Sequence, residues 1–144
     1  MPDMTTTPRG SGFPGYSETM TRTPETAAKA RHFARVALCA WHMDDAVDDA
    51  ALVLTELFTN AVRHARGGAV RVIINRSAED RVYVAVVDRA PRQLPLPRNA
   101  AVEDIGGRGL EVIDGLADRW GYDLMGPGLQ PWGKRVWAEM KVVR

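Results

Sequence analysis

The chain has 144 residues, close to a single domain of about 100–150 residues, and its 45% hydrophobic and 26% charged residues are those of a folded globular protein rather than a disordered one. A net charge of +1 and a single cysteine, Cys39, argue against a dedicated nucleic-acid binder, a disulfide framework and a cysteine-built zinc site. No apolar run approaches the roughly 18–20 residues of a membrane span, and no basic start followed by an apolar run marks a secretion signal, so a cytoplasmic protein is expected.

Residues 1–15 are rich in Thr, Pro, Gly and Ser without apolar periodicity and are expected to form a flexible tail, leaving one domain over 16–144. Tyr16 to Arg22 suits a short strand. Thr23-Pro24-Glu25 is a helix start, with Pro at the first helical position. Ala27, Ala30, Ala34, Ala37, Leu38 and Trp41 follow at helical spacing, and the helix breaks near His42. Asp44 or Asp45 caps a second helix whose apolar stripe is Val47, Ala51, Leu54, Phe58, Ala61, Val62 and Ala65, closed by Gly67-Gly68. Val70, Val72 and Ile74, then Val82, Val84 and Val86, alternate about a turn at residues 77–80 and predict a β-hairpin ending at Asp88. The second of these strands is apolar on both faces and is placed centrally.

Arg89 to Asp104 carries three prolines, mixed charge and no period, the signature of a long functional loop. It leads into Gly106-Gly107-Arg108-Gly109-Leu110, which opens a third helix with Ile113, Leu116, Ala117 and Trp120 on its core face and Gly121 as its stop. Tyr122 to Met125 and Lys134 to Val143 complete the strands. Two consecutive helices and two hairpins exclude a doubly wound sheet. The expected class is α+β, a two-layer sandwich with a mixed, mostly antiparallel sheet covered on one face by three helices.

Three features carry chemistry. Glu56 and Asn60 lie one turn apart on one helix face. A carboxylate and a carboxamide oxygen so placed suit Mg²⁺ with its waters, or a carboxylate positioned to take a proton from a hydroxyl, and they equally suit a solvated polar face. Asp88, at the end of a buried strand, can accept from the exocyclic amine of a base or close its own Asx turn. The glycines around Arg108 open a helix whose free N–H groups and positive dipole end favour an anion such as phosphate. No Gly-Lys-Ser/Thr follows, so this is not a Walker A loop.

Taken in order, Glu-x-x-x-Asn on a helix, a hairpin ending in Asp, a long loop and Gly-Gly-Arg-Gly opening a helix resemble the GHKL superfamily of Bergerat-fold ATP-binding domains. The likeness is closer to its small single-domain branch, the bacterial anti-sigma factor serine kinases. Glu56 to Ala65 resembles that branch's N box, Asp88-Arg89-Ala90-Pro91 stands where its G1 box belongs, and Gly106 to Leu110 resembles its G2 box. Two departures stand out: both glycines of the G1 pattern Asp-x-Gly-x-Gly are replaced, and Arg135 stands where a Thr is often found.

The resemblance implies ATP and Mg²⁺ as cofactors. It makes Glu56 the general base for an acceptor serine and Asn60 the Mg²⁺ ligand. It makes Asp88 the reader of the adenine amine, Arg89 to Asp104 the lid, and Gly107, Arg108, Gly109 and Leu110 the phosphate cradle. It implies a sigma factor as sequestered partner, a STAS-domain anti-anti-sigma protein as phosphoacceptor and a homodimer, with no direct contact to nucleic acid or membrane. The alternative is a nucleotide-responsive module that holds a regulator without phosphoryl transfer.

Overall fold

A computed structural model of the chain describes residues 5–6, 15–64, 67–91, 109–128 and 130–142. Most of the expected tail, residues 1–15, and residues 92–108, which hold most of the expected loop, lie outside these. In chain order the elements are β1 (Thr5–Thr6), β2 (Gly15–Thr21), α1 (Ala27–Ala40), α2 (Val47–His64), β3 (Ala69–Ala78), β4 (Arg81–Asp88), α3 (Gly109–Leu116), β5 (Arg119–Met125) and β6 (Gly133–Lys141). One six-stranded sheet has the order β1-β2-β3-β4-β6-β5. The α+β two-layer sandwich is as expected, and every pairing among the described residues is antiparallel where a mixed sheet was anticipated.

Strand alternation decides which face is covered. Met20, Val70, Val72, Ile74, Val82, Val84, Val86, Val136, Ala138 and Met140 point to one side. They form a continuous buried core with Ala30, Phe33, Ala34, Ala37 and Leu38 of α1, Ala50, Val53, Leu54, Leu57, Phe58 and Ala61 of α2, and Ile113 of α3. β4 is central, as its two apolar faces predicted. Its outward Ala85 and Val87 are also buried, and beside them the outward Tyr83 and Trp137 rings stack at 6.0 Å.

Local chemistry sets the helix ends. Pro24 to Thr26 form a 3-10 turn into α1, and Pro24 sits where its missing N–H costs nothing. α1 closes as a Schellman motif. Met43 N donates to Leu38 O and His42 N to Cys39 O, with His42 left-handed at φ 57° in the place glycine usually takes. Asp44 and Asp45 lie inside a 3-10 turn before α2, not at its cap, yet their charge still favours the helix N-terminus. Arg22 straps the other end of α2. Its Nη1 donates to Val62 O at 2.6 Å and its Nε to Gly67 O at 2.7 Å, and its amide N–H bonds Gly68 O.

The third helix is shorter than its apolar spacing predicted. α3 ends at Leu116, and Trp120 and Gly121 belong to β5. The sheet outcompetes the helix here: Trp120 pairs with Ala138 and Gly121 with Trp137. Asp118 N donates to Glu139 O, and the Asp118 carboxylate accepts from Lys141 N. Gly121 is needed for closeness rather than as a helix stop, because a Cβ there would stand 3.1 Å from the Trp137 ring.

On the outer face Glu139 accepts from Arg119 at 2.5 Å and Arg81 at 3.3 Å. Burial pushes its carboxyl up, but the Arg119 hydrogen bond and charge, with the Arg81 charge, outweigh burial and hold it below its ordinary value of 4.5. A carboxyl lowered on folding adds stability that is present above its unfolded value and lost as pH falls through the folded one. The melting-temperature advantage of the wild type over Glu139→Gln is therefore expected to be full at pH 7 and to vanish once the pH drops well below 4.5. A difference unchanged between pH 7 and pH 3 would refute the ion-pair account.

Candidate functional site

The site is built where the inner face of the sheet meets the strand ends. On α2, Glu56 and Asn60 are half-buried and one turn apart, as their spacing predicted. Their neighbours Thr55 and Thr59 spend their hydroxyls on the helix itself, bonding Ala51 O and Glu56 O. Among the described residues no hydrogen bond engages the Glu56 carboxylate or the Asn60 carboxamide, so two partly sheltered oxygen-bearing groups are uncommitted. α2 packs on β4, whose last residue is Asp88, and on α3, so one helix links the three chemical features.

Asp88 is 3% exposed and sits on the inner parity of β4 with Val82, Val84 and Val86. Its Oδ1 accepts from Ala90 N at 2.8 Å, the Asx turn that the sequence left open. The turn stands where the G1 glycines are replaced, so a side chain and not a pair of glycines fixes the chain's exit from the strand. Asp88 also has a partner that sequence reasoning did not assign. Lys134, directly opposite in the β4–β6 register, places its Nζ 2.9 Å from both Asp88 oxygens and 2.8 Å from Ala90 O. Lys134 is as buried as Asp88. The pair is charge-assisted, bidentate and dry, the form in which a buried ion pair can hold together.

A signal for Lys134 was present. Val136, Ala138 and Met140 alternate as an apolar set in the last strand, and the same parity puts residue 134 inward, where a lysine needs a counter-charge. Gly133 serves the same junction, because a Cβ there would collide with the Asp88 carbonyl. Arg135, the departure noted in the sequence, points to the other face and pairs with Asp123 at 3.4 Å. The residue from this segment that meets Asp88 is Lys134.

Of the expected phosphate cradle, Gly107 and Arg108 lie outside the described residues. Gly109 and Leu110 begin α3, so the glycine run does lead into a helix as anticipated. Tyr122 and Leu124 of β5 share the inner parity with Lys134 and Val136 and are exposed, leaving an apolar border next to Asp88 and Lys134.

The donor set can be tested against a nucleotide with Mg²⁺. A carboxylate has about four acceptor positions. Ala90 and Lys134 use two on Oδ1 and Lys134 one on Oδ2, so Asp88 retains one for an amine. Glu56 and Asn60 supply oxygens, uncommitted among the described residues, of the kind Mg²⁺ and its waters take. The residues fit the group, with Asp88 shared between it and Lys134.

A model of the histidine kinase-like ATPase domain matches residues 20–138. An uncharacterized protein of Streptomyces coelicolor is 39% identical over 77 residues, which make up 51% of this chain and 71% of that protein. Among solved structures, the mycobacterial sensor histidine kinase MprB superposes with a TM-score of 0.48 at 15% identity, over 86% of this chain and 97% of that one.

Proposed function

The chain belongs to the histidine kinase-like ATPase domain family, and on that footing we propose that it is an ATP-binding regulatory protein that phosphorylates a serine or threonine of a STAS-domain partner and sequesters a sigma factor. The observation that carries the reading is the set of functional groups on one side of the sheet. Among the described residues Glu56 and Asn60 are uncommitted on α2, and Asp88 is buried at the end of β4, against which α2 packs.

Each residue then has a defined task. Asp88 accepts from the exocyclic amine of the base through its remaining Oδ2 position. Its burial makes the contact selective, because an unmet hydrogen bond there has no water to replace it. Asn60 offers its side-chain oxygen to Mg²⁺, and Gly107, Arg108, Gly109 and Leu110, the expected cradle, receive the phosphates. Bound MgATP supplies the phosphoryl group and the charge neutralisation that such transfer depends on. Glu56, one turn before Asn60, holds its carboxylate where an acceptor hydroxyl approaches and takes its proton.

The Asx turn at Asp88 presets the carboxylate and reduces the entropy that binding must overcome. A cytoplasmic location fits this role, and no helix among the described residues is long and apolar enough to cross a membrane. The test is incubation of the purified chain with labelled MgATP and a STAS-domain protein that has an acceptor serine. Label on that serine is expected. Tight nucleotide binding without label would instead select the reading in which nucleotide only switches partner binding, which the engaged state of Asp88 favours.

A further inference from the structure

The base site holds two charged groups, and the second has no role in the reading above. We propose that Lys134 makes the site tolerant at C6 of the purine, so that 6-oxopurine nucleotides are accepted alongside 6-aminopurine ones. The proposal rests on the base-binding role given to Asp88.

Asp88 and Lys134 are register partners on neighbouring strands, both buried, at the end of the sheet's inner face. A carboxylate beside an ammonium is one acceptor next to one donor. An adenine edge offers a donor amine and an acceptor ring nitrogen. A hypoxanthine or guanine edge offers a donor ring N–H and an acceptor carbonyl. Either edge finds a match at an acceptor–donor pair, in opposite order. A carboxylate alone matches only a donor, and it repels the C6 carbonyl oxygen of an oxopurine.

The bonding count leaves room for this exchange. The three N–H donors of Lys134 go to Asp88 Oδ1, Asp88 Oδ2 and Ala90 O. Turning one donor from the Ala90 carbonyl to a base atom trades one neutral acceptor for another and leaves both Asp88 contacts in place. Lys134 therefore acts on the base without breaking the ion pair, whose loss would strand a buried charge. Ala90 lies in the segment where the G1 glycines are replaced, so the carbonyl that holds the third donor belongs to this chain's own departure from the pattern.

The experiment is titration of the whole chain with ADP and inosine diphosphate by calorimetry, for wild type, Lys134→Met and Lys134→Gln, beside the melting temperature of each. The two nucleotides differ only at C6 and N1. Wild type is expected to bind both within about tenfold, the equivalent of about 1.4 kcal/mol. Lys134→Met is expected to widen the preference for ADP by at least tenfold through loss of inosine diphosphate affinity. Lys134→Gln, neutral but still a donor and less disruptive to fold around, is expected to fall between.

An ADP preference in wild type above a hundredfold, or an unchanged ratio in variants that still bind ADP, overturns the role of Lys134 and leaves the base site standing. A purely structural lysine would shift the melting temperature and both affinities together without moving the ratio. Absence of binding by either nucleotide to wild type and both variants removes the base site itself.

Discussion

Replacing Asp88 by alanine lowers stability by about 3–5 kcal/mol, measured by urea denaturation, because it leaves the Lys134 ammonium buried at 3% exposure with, among the described residues, only the Ala90 carbonyl as partner. The cost belongs to the stranded charge and not to the carboxylate. Removing the charge as well should recover most of it, so the double variant Asp88→Ala with Lys134→Met is expected to lie within about 1–2 kcal/mol of wild type. A loss under about 1 kcal/mol in the single variant, or no recovery in the double one, contradicts the pairing seen between β4 and β6. The same cycle separates the pairing of Asp88 with Lys134 from its proposed contact to the base. Stability returns in the double variant, whereas nucleotide affinity does not, because the proposed acceptor for the base is gone in both.

The second large effect concerns Glu56. Glu56→Gln keeps the size and position of the side chain on α2 and removes only its capacity to accept a proton. Phosphoryl transfer to a STAS-domain acceptor is expected to fall by about 10²–10⁴, the usual worth of a positioned general base. Nucleotide affinity should stay within a few-fold, since Asn60 one turn further on and Asp88 on β4 are untouched. Stability should change little as well, because the Glu56 side chain is half-buried with no hydrogen-bond partner among the described residues. Transfer that survives at the wild-type rate excludes Glu56 as the base. A collapse of binding along with transfer shows that it belongs to the nucleotide site instead.

These expectations depend on how faithfully the sequence encodes position. The β3–β4 hairpin was legible because Val70, Val72, Ile74 and Val82, Val84, Val86 alternate without exception, and period two leaves a single inward set. α2 was legible because its stripe and its acidic start agree. The polar pair on it followed from helical spacing alone. The strand expected over Tyr16 to Arg22 is β2, Gly15–Thr21, shifted by one residue at each end.

What stayed hidden was decided by competition between distant segments. The apolar spacing from Leu110 to Trp120 suits a helix, yet hydrogen bonds to β6 draw residues 119–121 into the sheet, and no local propensity reports those bonds. The Asp88–Lys134 pair joins residues 46 apart in sequence. Its only local trace is a lysine on an inward parity. Glu18 is the same kind of case: inward on β2, 2% exposed and paired with Lys29 of α1 at 3.2 Å. In both cases the charged residue breaks an apolar alternation, and the break points to a partner that only the fold supplies.

Calorimetry of ADP binding, with and without Mg²⁺, to wild type and to Asp88→Asn tests the central claim most directly. The account predicts that wild type binds, that Mg²⁺ strengthens binding, and that Asp88→Asn weakens it by about ten- to hundredfold, the worth of one charge-assisted hydrogen bond of about 1.5–3 kcal/mol. Wild type that shows no binding at millimolar nucleotide, or Asp88→Asn that binds as wild type does, would contradict it.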